Sequence, residues 1–103
     1  MTPVVYTPEA RADLREIALR IADRNPTRAF TYVDEVEATC LRIGEFPHAW
    51  PPRPQWGDSI RITIHGNYVI VHRVRDETVQ VLRIVHGARD LDALFAEEPL
   101  PAE

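Results

Sequence analysis

The sequence predicts an α+β fold: a two-layer sandwich, β-α-α-β-β-β with a short C-terminal helix, in which a helical hairpin packs on an antiparallel sheet. Three observations predict it. Two segments, Pro8 to about Arg24 and Pro26 to about Ile43, each open on a capping residue followed by proline and carry apolar residues at helical spacing. Three runs between Ser59 and His86 are rich in β-branched residues and separated by short turns. A further apolar run, Val4 to Tyr6, precedes the first helix and is a candidate strand.

In order along the chain, Thr7 is a good N-cap and Pro8 sits where its missing N–H costs nothing, with Glu9 near the positive end of the helix dipole. Leu14, Ile17, Ala18, Ile21 and Ala22 then form one face, and Arg11, Asp13, Arg15, Glu16, Arg20 and Asp23 mostly line the other. Asn25 ends this helix, because a residue before proline is pushed out of the α region, and caps the next. Ala29, Val33, Val36, Cys40 and Ile43 make the second stripe, in which Cys40 reads as a small core hydrophobe. Pro47 to Asp58 contains prolines at 47, 51, 52 and 54 and is a loop. Trp50, Arg53 and Trp56 within it have two open readings: a recognition patch, or tryptophans covering the edge of the core.

Ser59 to His65 alternates strictly, Gly66-Asn67 is a tight turn, and Tyr68 to Val74 returns as the partner strand. With those two turn residues, His65 lies opposite Tyr68 and Arg61 opposite His72, so Arg61, Thr63, His65, Tyr68 and His72 share a face. Ile60, Ile62 and Ile64 are then expected under the helices. Arg75-Asp76-Glu77 turns the chain into Thr78 to His86, whose apolar content marks it as the central strand. Its polar residues Gln80, Arg83 and His86 fall on both sides of the two-residue alternation. Gly87 allows a turn, Asp90 caps the last helical segment, and Leu91, Leu94 and Phe95 recur there at helical spacing. One end of the sheet thereby receives Arg83, His86, Arg89 and Asp90.

The chain of 103 residues is one domain's worth, spanning 1–103 with a flexible acidic tail from about residue 97. Its twelve basic residues are all arginine and its net charge is -4, which gives no overall attraction to nucleic acid. Arginine is concentrated between Arg53 and Arg89, whereas Asp90 to Glu103 has no base. A lone cysteine excludes an intramolecular disulfide, and neither a leader nor a membrane span is evident, so a cytoplasmic protein is expected. The four histidines and one cysteine show no close ligand spacing, so neither metal nor cofactor is expected.

Nearly the whole chain resembles the ParE/RelE superfamily of bacterial type II toxin–antitoxin toxins. The resemblance rests on Tyr6-Thr7-Pro8-Glu9-Ala10, Asp13-Leu14, Ile17-Ala18, Asn25-Pro26, Ala29, Phe46-Pro47, Arg61, Tyr68 and the run Arg83 to Leu91, a set typical of the ParE-like branch. It implies that Val4 to Tyr6 lies beside the Thr78 to His86 strand. It also implies a toxin neutralised by a cognate ParD-like or related antitoxin, which would lay an amphipathic helix, and a strand, against the domain. ParE members act on DNA gyrase and RelE members cut messenger RNA on the ribosome. A third possibility is a degenerate toxin that keeps only antitoxin binding, consistent with Ala49-Trp50 where many relatives have a glycine.

For the site, the resemblance implies target or antitoxin contact through Arg61, Tyr68, Arg83, His86, Arg89 and Asp90. The typical nuclease members place basic groups at the positions of Thr63 and Val69 and a tyrosine at that of Phe95, none of which can serve here. Gyrase binding without chemistry is therefore the expected mode, with no sequence-specific nucleic-acid binding by the toxin alone. Under the nuclease alternative, His65, His72 and His86 are the catalytic candidates, because imidazole titrates in the useful range. Arg83 has a second reading as the partner of Asp90 or of an acid on the helices, and Arg73 as a solvated side chain.

Overall fold

A computed structural model describes residues 1–102. The chain runs β1 (Val4–Tyr6), α1 (Pro8–Ala22), α2 (Pro26–Glu45), a one-turn 3-10 helix (Pro54–Trp56), β2 (Arg61–His65), β3 (Tyr68–Arg75), β4 (Thr78–His86) and α3 (Leu91–Glu97). Both expected caps form: Thr7 Oγ1 accepts from Ala10 N–H at 3.1 Å and Asn25 Oδ1 from Arg28 N–H at 3.1 Å. The Thr7 hydroxyl also donates to the Leu82 carbonyl at 2.9 Å, so the cap ties the start of α1 to β4.

The sheet order is β1-β4-β3-β2, with β4 interior as expected and β1 beside it in parallel. The β2–β3 hairpin has the expected register, His65 opposite Tyr68 and Arg61 opposite His72. Between β3 and β4 the register slips: Val71 pairs with Arg83 but His72 with Val81, leaving Leu82 as an extra residue. This bulge resolves the irregular alternation of β4. Val79, Val81 and Ile84 pack on the hairpin side, whereas Leu82 and Val85 join the core on the opposite face.

The expectation that Ile60, Ile62 and Ile64 lie under the helices is overturned. Ile60 and Ile62 pack with Val69, Val71, Leu82, Val85, Leu94 and Phe95 beneath α3, and Ile64 is 70 % exposed. The hairpin instead covers the face of Arg61, Thr63 and His65, where His65 Nδ1 and Thr39 Oγ1 of α2 are 2.8 Å apart. Strand alternation tells which residues share a face, but not which face a given helix covers. The sheet therefore has a core on both sides, and α3 supplies a partial third layer. Arg73 is also corrected: it is 2 % exposed on the α3 side and hydrogen-bonded through each of its three guanidinium nitrogens, not solvated.

A close backbone approach sets the junction of β1 with α2. A Cβ on the buried Gly44 would stand 2.5 Å from the Thr2 carbonyl oxygen and 2.9 Å from Val4 Cγ2. Thr2 N–H donates to the Gly44 carbonyl at 2.9 Å, so the contact is bonded as well as close.

Candidate functional site

Because β1 has only three residues, the edge of β4 beyond Val81 is free of a strand partner, and α1 runs along it. Asp13 of α1 fills the gap, accepting from Ile84 N–H at 2.9 Å and from Arg83 Nε and Nη2 at 2.7 and 3.1 Å. The next turns of α1 thereby come beside the end of β4. A depression of about 120 Å³ results, lined among others by Glu16, Arg20, Tyr68, His86 and Arg89.

The floor at this end of the sheet is an aromatic ladder. His86 meets Tyr68 edge-on at 5.2 Å, Tyr68 meets Tyr32 of α2 at 6.0 Å, and Tyr32 meets His65 at 5.6 Å. The Tyr32 hydroxyl is buried without a hydrogen-bond partner among the described residues, and its pKa is pushed up to about 12, first by burial and then by neighbouring Tyr68. His86 Nδ1 accepts from Ala88 N–H at 3.1 Å, which leaves Nε2 as the protonated nitrogen of the neutral ring. Arg20 reaches Glu16 only at 3.8 Å, and Arg89 is exposed, so the rim carries two cations with weak internal neutralisation.

Of the residues singled out from sequence, Tyr68, His86 and Arg89 are brought together here. Asp90 stands next to Arg89 but caps α3, accepting from Ala93 N–H at 3.1 Å. Arg83 pairs with Asp13 and, at 3.3 Å, with Glu98, which keeps its side chain to 14 % exposure. Arg61, half-buried at the other end of the hairpin-side face, donates to the Trp50 carbonyl and pins the proline-rich loop.

The three histidines do not form one cluster. His72 is 1 % exposed beneath Trp50 and bonded to Thr63 Oγ1 at 2.9 Å; burial, and then the charge of Arg61, draws its pKa down to about 4. Trp50, Arg53 and Trp56 are not one patch either. Trp50 packs on the hairpin-side core, whereas Trp56 packs edge-on to Phe95 on the opposite side and donates to Asp92 Oδ1 at 2.6 Å. Thr63, Val69 and Phe95 are core residues at 5, 6 and 7 % exposure.

Glu16, Arg20 and Tyr32 were not singled out from sequence. The available signal was helical spacing: Arg20 follows buried Ile17 by three residues and so flanks the core stripe. A second surface lies between the helices, a groove of about 290 Å³ lined by Tyr6, Arg11, Leu14, Arg15, Val33 and Glu37, with Ala18 completing it. Phe30 and Leu41 stand exposed on α2 at 77 and 54 %. Among the described residues there is no group of three potential ligands for a metal ion and no helix long and apolar enough to cross a membrane.

Residues 4–91 match the family described as the ParE toxin of type II toxin-antitoxin system, parDE. No curated protein matches the chain significantly. Among solved structures, the chromosomal ParDE toxin–antitoxin system from P. aeruginosa superimposes with a TM-score of 0.72 at 21 % identity, covering 84 % of this chain and 96 % of that one. The toxin–antitoxin complex RelBE2 from Mycobacterium tuberculosis gives 0.56 at 22 % identity, covering 82 and 96 %. At these identities the structural likeness is one of fold.

Proposed function

The chain belongs to the ParE toxin family of type II toxin–antitoxin systems, and from that premise we propose that it acts by binding DNA gyrase and is neutralised by a cognate antitoxin. The observation that carries the binding mode is the sheet-end depression, an open surface rimmed by Arg20 and Arg89. The positions where the nuclease branch places its reactive groups are occupied here by buried Thr63, Val69 and Phe95. Arg89 and Arg20 contact the target, Tyr68 and His86 shape the floor beneath them, and Asp90 and Arg83 hold the turn and strand that present Arg89. The antitoxin docks an amphipathic helix in the α1–α2 groove, its acidic residues facing Arg11 and Arg15.

A second reading has one specific observation in its favour. His86, with Nδ1 engaged by backbone, offers an Nε2 proton donor beside Tyr68 and Arg89, a set suited to protonating a leaving oxygen and holding a phosphate.

A supercoiling assay with purified gyrase, run beside primer-extension mapping of messenger RNA in induced cells, separates the two. Inhibition of supercoiling that falls at least roughly tenfold in Arg89→Ala, with an unchanged melting temperature, is expected, since an exposed arginine contributes little to stability. Codon-phased cleavage with undisturbed supercoiling would overturn the gyrase reading and promote His86 and Tyr68 to catalytic candidates. For the antitoxin, Val33→Asp is expected to weaken a complex with the product of the adjacent reading frame, and unchanged copurification would remove the groove assignment.

A further inference from the structure

Arg73 is a buried cation on the α3 side of the sheet, a placement that is costly unless the guanidinium is hydrogen-bonded. Its Nε donates to Gln80 Oε1 at 3.1 Å, while Nη1 and Nη2 donate to the carbonyls of Pro101 and Ala102 at 2.6 and 3.2 Å. Arg75 adds a bond to the Ala102 carbonyl at 3.4 Å, and Arg83 bonds Glu98 at 3.3 Å. Between these anchors Leu100 packs on the α3-side core. The C-terminal segment is therefore clasped by three arginines of β3 and β4.

The clasp is nevertheless loosely bedded. Glu98, Pro99, Pro101 and Ala102 are exposed, and two cavities adjoin the segment, both touching Pro99 and Leu100. One, of about 160 Å³, reaches Glu9, Leu82 and Arg83; the other, of about 250 Å³, reaches Trp56 and Phe95. A segment with so few packed neighbours belongs to the low-stability end of local opening. Lifting it uncovers an apolar floor lined by guanidinium groups.

We propose that Glu98 to Ala102 is a displaceable strap, and that an extended acidic peptide segment of a partner protein takes its place over Arg73, Arg75 and Arg83. The strap itself defines the chemistry. It supplies a carboxylate to Arg83, an apolar side chain two residues later, and oxygen acceptors to Arg73 and Arg75. The strap's carbonyls meet the guanidinium groups of Arg73 and Arg75 as neutral single acceptors, whereas a carboxylate adds opposite charge and a bidentate geometry, so a competitor that presents carboxylates at these positions displaces it. This site lies across the sheet from the hairpin groove and does not depend on gyrase as the target.

The test uses the full-length chain and a fluorescein-labelled peptide of the strap sequence, Glu-Pro-Leu-Pro-Ala, read by fluorescence polarisation. Leu100→Asp releases the strap in cis, with Leu100→Ser as the gentler release should circular dichroism show the first unfolded. The released variant is expected to bind the peptide at least tenfold more tightly than the unsubstituted chain, and a peptide with serine in place of its leucine is expected to lose that binding. Equal affinity for released and unsubstituted chains, absence of binding to both, or indifference to the peptide's leucine would each overturn the proposal.

Discussion

Asp13→Ala removes the acceptor on which the junction of α1 with β4 depends. In one substitution, the Arg83 guanidinium loses two bonds and Ile84 N–H loses its partner. Both side chains of the ion pair are largely buried, at 14 and 16 % exposure, and the remaining partner of Arg83 is Glu98, itself 60 % exposed. Breaking a buried pair from one side costs about 3–5 kcal/mol, and an unsatisfied buried N–H adds about 1–3. Allowing for water that reaches the opened edge and for Glu98, about 3 kcal/mol is expected. For a domain of this size each kcal/mol moves the melting temperature by about 4–8 °C, so the variant should melt roughly 12–24 °C lower. Differential scanning calorimetry measures this directly. Asp13→Asn, which keeps one acceptor oxygen, should lose less than half as much, and Arg83→Leu in the Asp13→Ala background should recover part of the loss by removing the stranded cation. An Asp13→Ala protein melting within about 2 °C of the original, a change below roughly 0.5 kcal/mol, would refute the argument that this carboxylate holds α1 against β4.

Gly44→Ala drives a methyl into the Thr2 carbonyl and Val4; a loss of about 1–3 kcal/mol is expected in chemical denaturation, as for overpacking generally. His72 titrates near 4 in the fold against 6.5 unperturbed, so the unfolded chain binds the extra proton between these values. Its neutral burial stabilises fully above about pH 6.5, and that contribution falls by up to about 3 kcal/mol as pH drops towards 4, a slope that urea titrations should find reduced in His72→Gln. Asp76 and Glu77 close the β3–β4 hairpin with φ of 53 and 59°, in the left-handed region; Glu77→Gly should raise stability by about 0.5–1 kcal/mol, visible as a higher denaturation midpoint.

The elements themselves were legible in the sequence because their signals are local. Thr7-Pro8 and Asn25-Pro26 start helices whatever surrounds them, and Gly66-Asn67 sets a register that places His65 opposite Tyr68. The resemblance then supplied the place of β1 and the family. The side of the sheet on which each core forms was not legible. Thr63 lies under the hairpin and Ile60 under α3, because the packed alternatives differ only in which layer meets which face. The bulge at Leu82 was half legible: Gln80 and Arg83 break the two-residue alternation, but nothing in the apolar pair between them marks which residue goes unpaired. Among the arginines, sequence left Arg83 open between a contact residue and the partner of Asp90 or of an acid on the helices, and read Arg73 as solvated. Only tertiary structure decided that Arg83 is spent on Asp13 and Arg73 on the C-terminal carbonyls, while Arg20 and Arg89 are left at the surface. The reason is physical: a guanidinium's availability depends on acceptors delivered by other elements, here 70 residues away for Asp13 and 28 for Pro101, and sequence neighbours carry no record of that delivery.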